Sequence, residues 1–283
     1  MRGAPRDTII ADSVPATYRG KAFGFHRAMD TAGAALGPLI ASLILAATGG
    51  NLPAVFFWTV VPGVIGILII PLLLREPPRD RAPAAPVAGA AAPAVPLGAR
   101  FWVFTLIWTL FSLGNSSDSF IFLRSYDLDA QLALVPLFYA GFNIVYALCA
   151  IPLGSLSDEI GRLPILAGSL LLFGAIYTGW SQATQSWQSA VLFLLYGLYY
   201  GGTEGVARAF VADLLPAGRR GTALGWFTAL TGVATLPANL IAAYLWNAQG
   251  RSAPFVFGAA MAFAAGALLL LCYPWMRRAR AVA

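Results

Sequence analysis

A fourteen-residue segment occurs twice in this chain, and each copy leads directly into a long run of apolar residues. The first copy begins at Ala11 and the second at Ala212, and eight of the fourteen positions are identical. The shared positions include an Ala-Asp pair, a proline and an Arg-Gly pair. Internal repeats embedded in apolar sequence are typical of membrane proteins built from related helix bundles. The repeat therefore predicts two related halves, each with this segment at one end of a membrane span.

The composition indicates that lipid is the main solvent of this chain. It is 59% hydrophobic and 11% charged, whereas soluble domains carry roughly 25% charged residues. The basic residues lie in short gaps between apolar runs, so we expect no nucleic-acid partner. With one histidine and two cysteines in apolar runs, we expect no metal site and no cofactor. No nucleophile and base are paired in the sequence, so we expect no enzymatic activity.

The uncharged runs predict an all-α membrane protein with eight transmembrane helices, since one span needs about 20 apolar residues. Residues 31–74 give two spans separated at 48–53, and residues 163–203 give two separated at 181–186. The other four are predicted at 101–117 (running on towards Phe122), 130–157, 221–250 and 252–276.

One further uncharged stretch, residues 82–99, is rich in alanine and proline. Proline at this density removes backbone donors that a spanning helix must satisfy, so we interpret the stretch as a linker. The predicted organisation is an incomplete two-span bundle at 1–75, a cytoplasmic linker at 76–100 and a six-span bundle at 101–283.

The distribution of basic residues predicts the orientation in the membrane. The gaps between predicted spans form two alternating sets, one for each side of the membrane. One set contains only Arg124 and Arg251. The other set contains the remaining basic loop residues, which are Arg2, Arg6, Arg19, Lys21, Arg75, Arg79, Arg81, Arg100, Arg162, Arg219, Arg220, Arg277, Arg278 and Arg280. The richer set is expected to be cytoplasmic, which places both termini inside. The use of arginine over lysine suggests a bacterial source and therefore an inner (plasma) membrane.

A short motif follows the fourth predicted span, and its fixed positions are Gly154, Asp158, Gly161 and Arg162. This segment resembles the G-x-x-x-D-x-x-G-R loop of the major facilitator superfamily, which follows the second span of each six-span half. It departs from the family pattern at Glu159 and Leu163, where basic residues are usual.

A second motif, with Gly33, Gly37 and Pro38 in the first predicted span, is similar to the G-x-x-x-G-P motif of the family's fifth span, best known in exporters. Its other interpretation is helix packing through small residues. Both interpretations stay open at this point.

The resemblance implies a part of a twelve-span transporter that lacks the first four spans. Such a protein moves a small molecule across the membrane by alternating access, and the exporter-like motif favours proton-coupled efflux by an antiporter. The expected partners are the lipid bilayer, a small-molecule substrate, protons and the missing four-span segment. The alternative is a truncated, non-transporting membrane fragment of such a transporter.

Charged residues inside spans are costly and mark functional sites. His26, Arg27 and Asp30 enter the first span, with Asp30 one turn from each of the other two. Two interpretations stay open, a structural Arg27–Asp30 pair and a site for protons or substrate.

Further candidates for the substrate or proton pathway lie in later spans, namely Asp118, Asn143, Tyr146, Glu204 and Arg208. Glu204 and Arg208 form an i,i+4 pair that suits either a gating network or substrate contact. Asp118 follows a polar break and faces either the cavity or the outer surface. Asn143 and Tyr146 suit either the lining of the cavity or hydrogen bonds between helices.

The gating residues predicted from the loop and the repeat are Gly154, Asp158, Gly161, Arg162, Asp213 and Arg220. We expect Asp158 to approach the N-terminus of the seventh span near Gly221, because exposed helix N–H groups favour a negative partner. Arg162 is expected to reach Glu204 or Asp213.

Overall fold

The computed structural model describes residues 3–49, 51–73, 96–128 and 134–277, and every regular element in these ranges is a helix. The helices are α1 (Gly3–Ser13), α2 (Arg19–Ala47), α3 (Leu52–Leu73), α4 (Gly98–Gly114), α5 (Asp118–Asp127), α6 (Leu134–Ile160), α7 (Arg162–Gln182), α8 (Ser186–Asp213), α9 (Ala217–Gln249) and α10 (Ala253–Arg277). A single turn of 3-10 helix, Ala16–Tyr18, lies between α1 and α2.

The chain forms two compact units. The first contains Met1–Ala32 and Leu97–Ala283, and the second contains Gly33–Pro96. In the first unit α6 packs along α8, α7 packs between α8 and α10, and α4 contacts α9 and α10. Helix α1 lies against α8 and α9. The predicted linker falls almost entirely on residues 74–95, which lie outside the described residues, so the predicted domain division stays a prediction.

Helices cover the described parts of the predicted spans, and the third predicted span is divided between α4 and α5. Among the described residues, four helical segments are long and apolar enough to cross a membrane by length and composition, namely Leu137–Ile160, Arg162–Gln182, Gly218–Gln249 and Ala253–Arg277. A shorter apolar segment lies at Pro53–Ile69. Helices α2, α4 and α8 also cover predicted spans but are not among these segments. Helix α4 has only 17 residues, and α2 and α8 carry the charged residues that define the site. The count of eight spans stays a prediction.

The third predicted span is interrupted, which corrects the expectation of one helix running towards Phe122. Helix α4 ends at Gly114, and α5 begins at Asp118 and continues to Asp127. Ser117 caps α5 by accepting a hydrogen bond from the Ser119 N–H at 3.3 Å. The polar residues at the break satisfy backbone groups that the interruption exposes, which lets the chain break inside the unit.

An aromatic core fixes the helices of the first unit. Its largest fully buried members are Phe101, Phe104, Phe111, Phe173, Tyr177, Trp180, Phe193, Tyr196 and Phe255. The ring centroids of Phe173 and Tyr177 lie 3.9 Å apart, and those of Phe111 and Phe173 lie 4.9 Å apart. Because lipid is as apolar as these side chains, close packing between the rings contributes most of the helix association. This core holds α4, α7 and α8 in fixed register beneath the polar residues of the site.

Candidate functional site

The two copies of the repeat lie side by side and pair with each other. Arg19 donates a hydrogen bond to the Ala11 carbonyl of its own copy at 3.0 Å and another to Asp213 of the second copy at 2.7 Å. Arg220 repeats the arrangement, donating to the Ala212 carbonyl of its own copy at 3.2 Å and to Asp12 of the first copy.

Each arginine therefore closes the C-terminal end of one helix and holds the carboxylate of the other copy. Helix ends leave carbonyls without partners, and a cation there is favourable. The reciprocal contacts join α1 and α2 to α8 and α9. We call the six charged residues Asp12, Arg19, Asp158, Arg162, Asp213 and Arg220 the paired-repeat cluster.

The loop motif completes this cluster, although Asp158 does not lie where the sequence predicts. Its carboxylate accepts the backbone N–H of Gly20 at 3.0 Å and of Lys21 at 2.8 Å, at the N-terminus of α2. The expectation that Asp158 approaches the helix N-terminus near Gly221 is therefore wrong. Gly20 and Gly221 are equivalent positions of the repeat, but α2 begins at Arg19 whereas α9 begins at Ala217. Gly20 therefore lies in the first turn of its helix, where N–H groups have no partner within the helix, and Gly221 lies one turn inside α9.

Arg162 contacts one of its two expected partners. It donates to Asp213 at 3.1 Å, to the Ser157 hydroxyl at 2.8 Å and to the Ala16 carbonyl at 3.0 Å, and it forms an ion pair with Asp158. Its side chain is almost completely buried. A planar guanidinium with five donors suits this set of acceptors, which a lysine could not satisfy.

Glycines of the motif and the repeat bring the backbones of α2 and α6 together. A Cβ atom at Gly20 would collide with the Gly154 carbonyl, and a Cβ atom at Gly154 would collide with the Gly20 carbonyl. Gly161 lies between α6 and α7 with a φ of 102°, a conformation that favours glycine. The motif glycines therefore serve backbone approach and backbone conformation.

A second group of charges lies deeper in the same unit, and we call it the membrane charge cluster. It consists of Asp7, Arg27, Asp30, Glu204 and Arg208. Arg208 joins two of the acids, with its Nη1 at 2.6 Å from Glu204 and its Nε at 3.0 Å from Asp7. Arg27 lies eight residues into α2, which corresponds to about 12 Å along the helix axis.

Arg27 is held more loosely than Arg208. Its terminal nitrogens lie 3.5 Å from Glu204 and 3.6 Å from Asp30, and its buried Nε has no hydrogen-bond partner among the described residues. The Asp30 side chain is 59% exposed. His26 is half-buried and has no hydrogen bond to a described residue. The expected Arg27–Asp30 and Glu204–Arg208 pairs both form, and Glu204 links them.

Asp118 and its surroundings form a third polar region, far from the first two along α8. The Tyr196 hydroxyl donates to Asp118 at 3.0 Å, and the Ser117 N–H donates to Asn239 at 2.8 Å. Asn143 is buried and donates to the Tyr139 carbonyl of its own helix at 2.9 Å. Tyr146 is buried, and its ring lies 5.4 Å from that of Tyr200.

The packing motif at Gly33, Gly37 and Pro38 lies within α2, in the second unit. A Cβ atom built at Gly33 or Gly37 meets no described atom within 4 Å. Its role, in packing or in transport, stays a prediction.

Sequence reasoning missed four residues that the structure brings into these groups. Asp7 is buried against Arg208, Asp12 pairs with Arg220, Arg19 mirrors Arg220, and Asn239 supports the α4–α5 break. Asp12 and Arg19 carried a signal, because both are identical positions of the repeat. Asp7 and Asn239 are isolated polar residues whose partners lie far away in the sequence.

Comparison with known proteins gives the class of this chain. The model of the Major Facilitator Superfamily matches residues 3–131 and 119–282. The chain belongs to the major facilitator superfamily, and the resemblance found in the loop motif is confirmed. The membrane-spanning character of the chain follows from this membership.

Relatives and one solved structure agree with this assignment. An uncharacterised transporter of the same family from Methanocaldococcus jannaschii is 36% identical over 278 residues, which are 95% of this chain and 68% of the relative. An uncharacterised protein from Mycobacterium tuberculosis is 30% identical over 266 residues, 87% of this chain and 61% of the relative. The crystal structure of the human organic anion transporter MFSD10 (TETRAN) matches the fold with a TM-score of 0.70 at 17% identity, covering 94% of this chain and 67% of that one.

Proposed function

We propose that this chain carries a small solute across a membrane by alternating access, with the paired-repeat cluster as the gate on one side. The observation that carries the proposal is the reciprocal pairing of Arg19 with Asp213 and of Arg220 with Asp12. Because the chain spans 61% to 68% of the length of the two relatives, the activity of the whole protein is part of this proposal.

The cluster has the physical character of a contact that can open. Its ion pairs join separate helices through side chains, so the helices can separate without breaking any backbone hydrogen bond of α1, α2, α8 or α9. The ion pairs of Asp213 with Arg19 and Arg162 are buried, so the cost of removing these charges from water offsets much of their attraction. Separation that returns the charges to water recovers this desolvation cost. A closed and an open state can therefore lie close in free energy.

The membrane side and the coupling are further parts of the proposal. The basic residues favour a cytoplasmic position for the gate in a bacterial inner membrane, with both termini inside. The exporter-like Gly33, Gly37 and Pro38 motif favours efflux. The membrane charge cluster suits proton coupling, since Glu204 lies between two arginines and Asp30 is open to exchange with the surroundings.

A reversible cross-link across the gate tests alternating access. Cys149 and Cys272 are first replaced by serine, and Asp12→Cys and Arg220→Cys are introduced at the two ends of one reciprocal pair. Sealed vesicles containing this chain are assayed for uptake of radiolabelled glucose, citrate and choline before and after treatment with a short bis-methanethiosulfonate reagent. We expect the cross-link to stop uptake and a reducing agent to restore it. Uptake that continues through the cross-linked chain would refute the gate.

The alternative function, a non-transporting membrane fragment, predicts a different result in the same assay. In that case the unmodified chain folds but takes up none of the three solutes. A single variant, Asp30→Asn, then separates proton coupling from transport. We expect it to abolish uptake driven by a proton gradient and to leave exchange of solute across the membrane intact.

A further inference from the structure

We propose that Asp118 is the anionic anchor of a binding site for an organic cation, either a protonated amine or a quaternary ammonium or phosphonium ion. This inference rests on the proposed function, because it names the chemical class of the transported solute. It concerns a region of the first unit that is separate from both the paired-repeat cluster and the membrane charge cluster.

Asp118 lies inside the first unit without a cationic partner. Asp7 and Glu204 both contact Arg208, Asp30 lies near Arg27, and Asp213 contacts Arg19 and Arg162. Asp127, at the other end of α5, pairs with Arg251. Among the described residues no arginine, lysine or histidine lies within ion-pair distance of Asp118. Glu159 also has no ion pair to a described residue, but it is exposed at the end of α6. Among the described acids, Asp118 is therefore the one inside the unit that lacks a counter-charge.

The position of Asp118 makes this lack of a partner significant. Its hydrogen-bond donor, Tyr196, is ten residues from the Ser186 end of α8 and seventeen from the Asp213 end, which corresponds to about 15 Å and about 25 Å along the axis. Asp118 therefore lies well inside a membrane-spanning bundle. Ionisable groups at such a depth are costly and are usually paired or used to bind.

The Asp118 carboxylate has binding capacity left over. Its Oδ1 accepts the Tyr196 hydroxyl, and its Oδ2 has no hydrogen bond to a described residue. Oδ2 is also not among the enclosed polar atoms, and the side chain is only half-buried. A ligand can therefore reach the free oxygen. The α4–α5 break exposes this position, as broken helices do in the binding sites of transporters.

Aromatic rings around Tyr196, the hydrogen-bond donor of Asp118, favour an organic cation over a metal ion. The Tyr196 ring centroid lies 4.9 Å from that of Tyr200 and 5.4 Å from that of Phe142. Tyr196 and Phe142 are buried, and Tyr200 is partly exposed. Aromatic faces attract ammonium groups and pack against the apolar part of an organic ion. Metal ions such as Ca²⁺ and Mg²⁺ require about six or more oxygen ligands, and the described residues contain no cluster of acids, cysteines or histidines able to hold a metal ion.

Two ions of the same shape and opposite charge test the proposal, namely tetraphenylphosphonium and tetraphenylborate. Binding of each to the purified chain in detergent is measured by equilibrium dialysis. We expect Asp118→Asn to weaken tetraphenylphosphonium binding roughly tenfold or more, the loss produced by removing one ion pair worth about 1.4 kcal/mol. Asp118→Glu should restore it, and tetraphenylborate binding should be the same for all variants. Asp127→Asn is the matched control, because it removes a paired carboxylate from the same helix.

The result that would overturn the proposal is equal tetraphenylphosphonium binding by the unmodified chain and Asp118→Asn, or no binding by either. The first means that the ion binds elsewhere, and the second means that Asp118 serves another purpose, such as proton binding. Thermal unfolding confirms that each variant is folded. If Asp118→Asn does not fold, Tyr196→Phe replaces it in the test. Tyr196→Phe keeps the charge and should change cation binding less than threefold, and a tenfold loss would assign the binding to the hydroxyl.

The binding assay needs no transport, so this inference and the proposed function can fail separately. Charge-selective binding that depends on Asp118, with no uptake into vesicles, would support the cation site and contradict transport by this chain. Uptake of glucose or citrate, with no binding of tetraphenylphosphonium, would support transport and contradict the cation site.

Discussion

Gly20 and Gly154 bring two backbones close together beside the paired-repeat cluster, and they show how much the site depends on single residues. The missing side chains allow Asp158 to reach the N–H groups of Gly20 and Lys21. A methyl group at either position would occupy the space of a carbonyl oxygen, which cannot move without distorting its helix. The geometry of the ion pairs is therefore set by the absence of two Cβ atoms.

The first prediction concerns Gly20→Ala. The added methyl group would collide with Gly154, Ser157 and Arg162, and overpacking of this kind typically costs about 1–3 kcal/mol. We expect a clearly lower thermal unfolding midpoint for the chain in detergent. Gly218→Ala is the control, because a Cβ atom there meets nothing within 4 Å and alanine favours a helix over glycine. Equal midpoints for the two variants would contradict the close approach.

At the scale of single residues, the sequence predicted the members of the paired-repeat cluster better than their contacts. The loop motif identified Asp158 and Arg162, and the repeat identified Asp213 and Arg220. The partner of Asp158 could not be predicted, because the helices of the two copies begin at different positions, Arg19 and Ala217, and the repeated sequence does not show this difference. Asp7 could not be predicted for a related reason, since its partner Arg208 lies two hundred residues away and no local pattern connects them.

Among the elements, the interruption between α4 and α5 is the most informative. Its backbone is satisfied from outside the helix, because the Ser117 N–H donates to the side chain of Asn239 on α9. This contact connects two helices through one backbone group. It also fixes the start of α5 and, with it, the position of Asp118.

The second prediction concerns Asn239→Leu. Loss of the acceptor would leave the Ser117 N–H without its partner, and an unsatisfied group in such surroundings costs about 1–3 kcal/mol. We expect faster amide hydrogen exchange at residues 115–120 and a lower unfolding midpoint. Asn247→Leu is the control on the same helix, since Asn247 is exposed and donates only to the Ala243 carbonyl of its own helix. Unchanged exchange at the break in Asn239→Leu would show that other contacts hold it.

The existence of the helices could be predicted well from the apolar runs, but their ends could not. Helix α2 begins at Arg19, twelve residues before the uncharged run at 31, because neighbouring acids and carbonyls satisfy its charged first turns. The polar break before Asp118 is visible in the sequence, but the apolar residues at 120–123 beyond it favour one continuous span, so the helix end at Gly114 was not predicted. Its position depends on Asn239, which is distant in the sequence. Both differences result from tertiary partners that override local composition.

At the scale of the whole molecule, each repeat copy pairs its arginine with the aspartate of the other copy, but the two aspartates differ in burial. Asp213 binds both Arg19 and Arg162, whereas Asp12 pairs with Arg220 at a more exposed position. The side chain of Asp213 is 13% exposed and that of Asp12 is 35% exposed. The loop motif of α6 and α7 adds Arg162 to one side only, which makes Asp213 the centre of the cluster.

This asymmetry gives the last prediction, a difference between Asp213→Asn and Asp12→Asn. Removing one partner of a buried ion pair costs about 3–5 kcal/mol, because the remaining charge stays buried without compensation, while an exposed pair contributes only about 0–1 kcal/mol. We expect Asp213→Asn to separate the two copies much more often than Asp12→Asn does.

The reporter is Ala209→Cys in a chain whose own cysteines are replaced by serine, because Ala209 is fully buried between the copies, against Ala11, Phe23 and Ala212. Maleimide labelling of this cysteine in detergent should accelerate strongly with Asp213→Asn and change little with Asp12→Asn. Equal labelling rates for the two variants would mean that the two reciprocal pairs hold the repeat copies together equally, and that Arg162 adds nothing to the second copy.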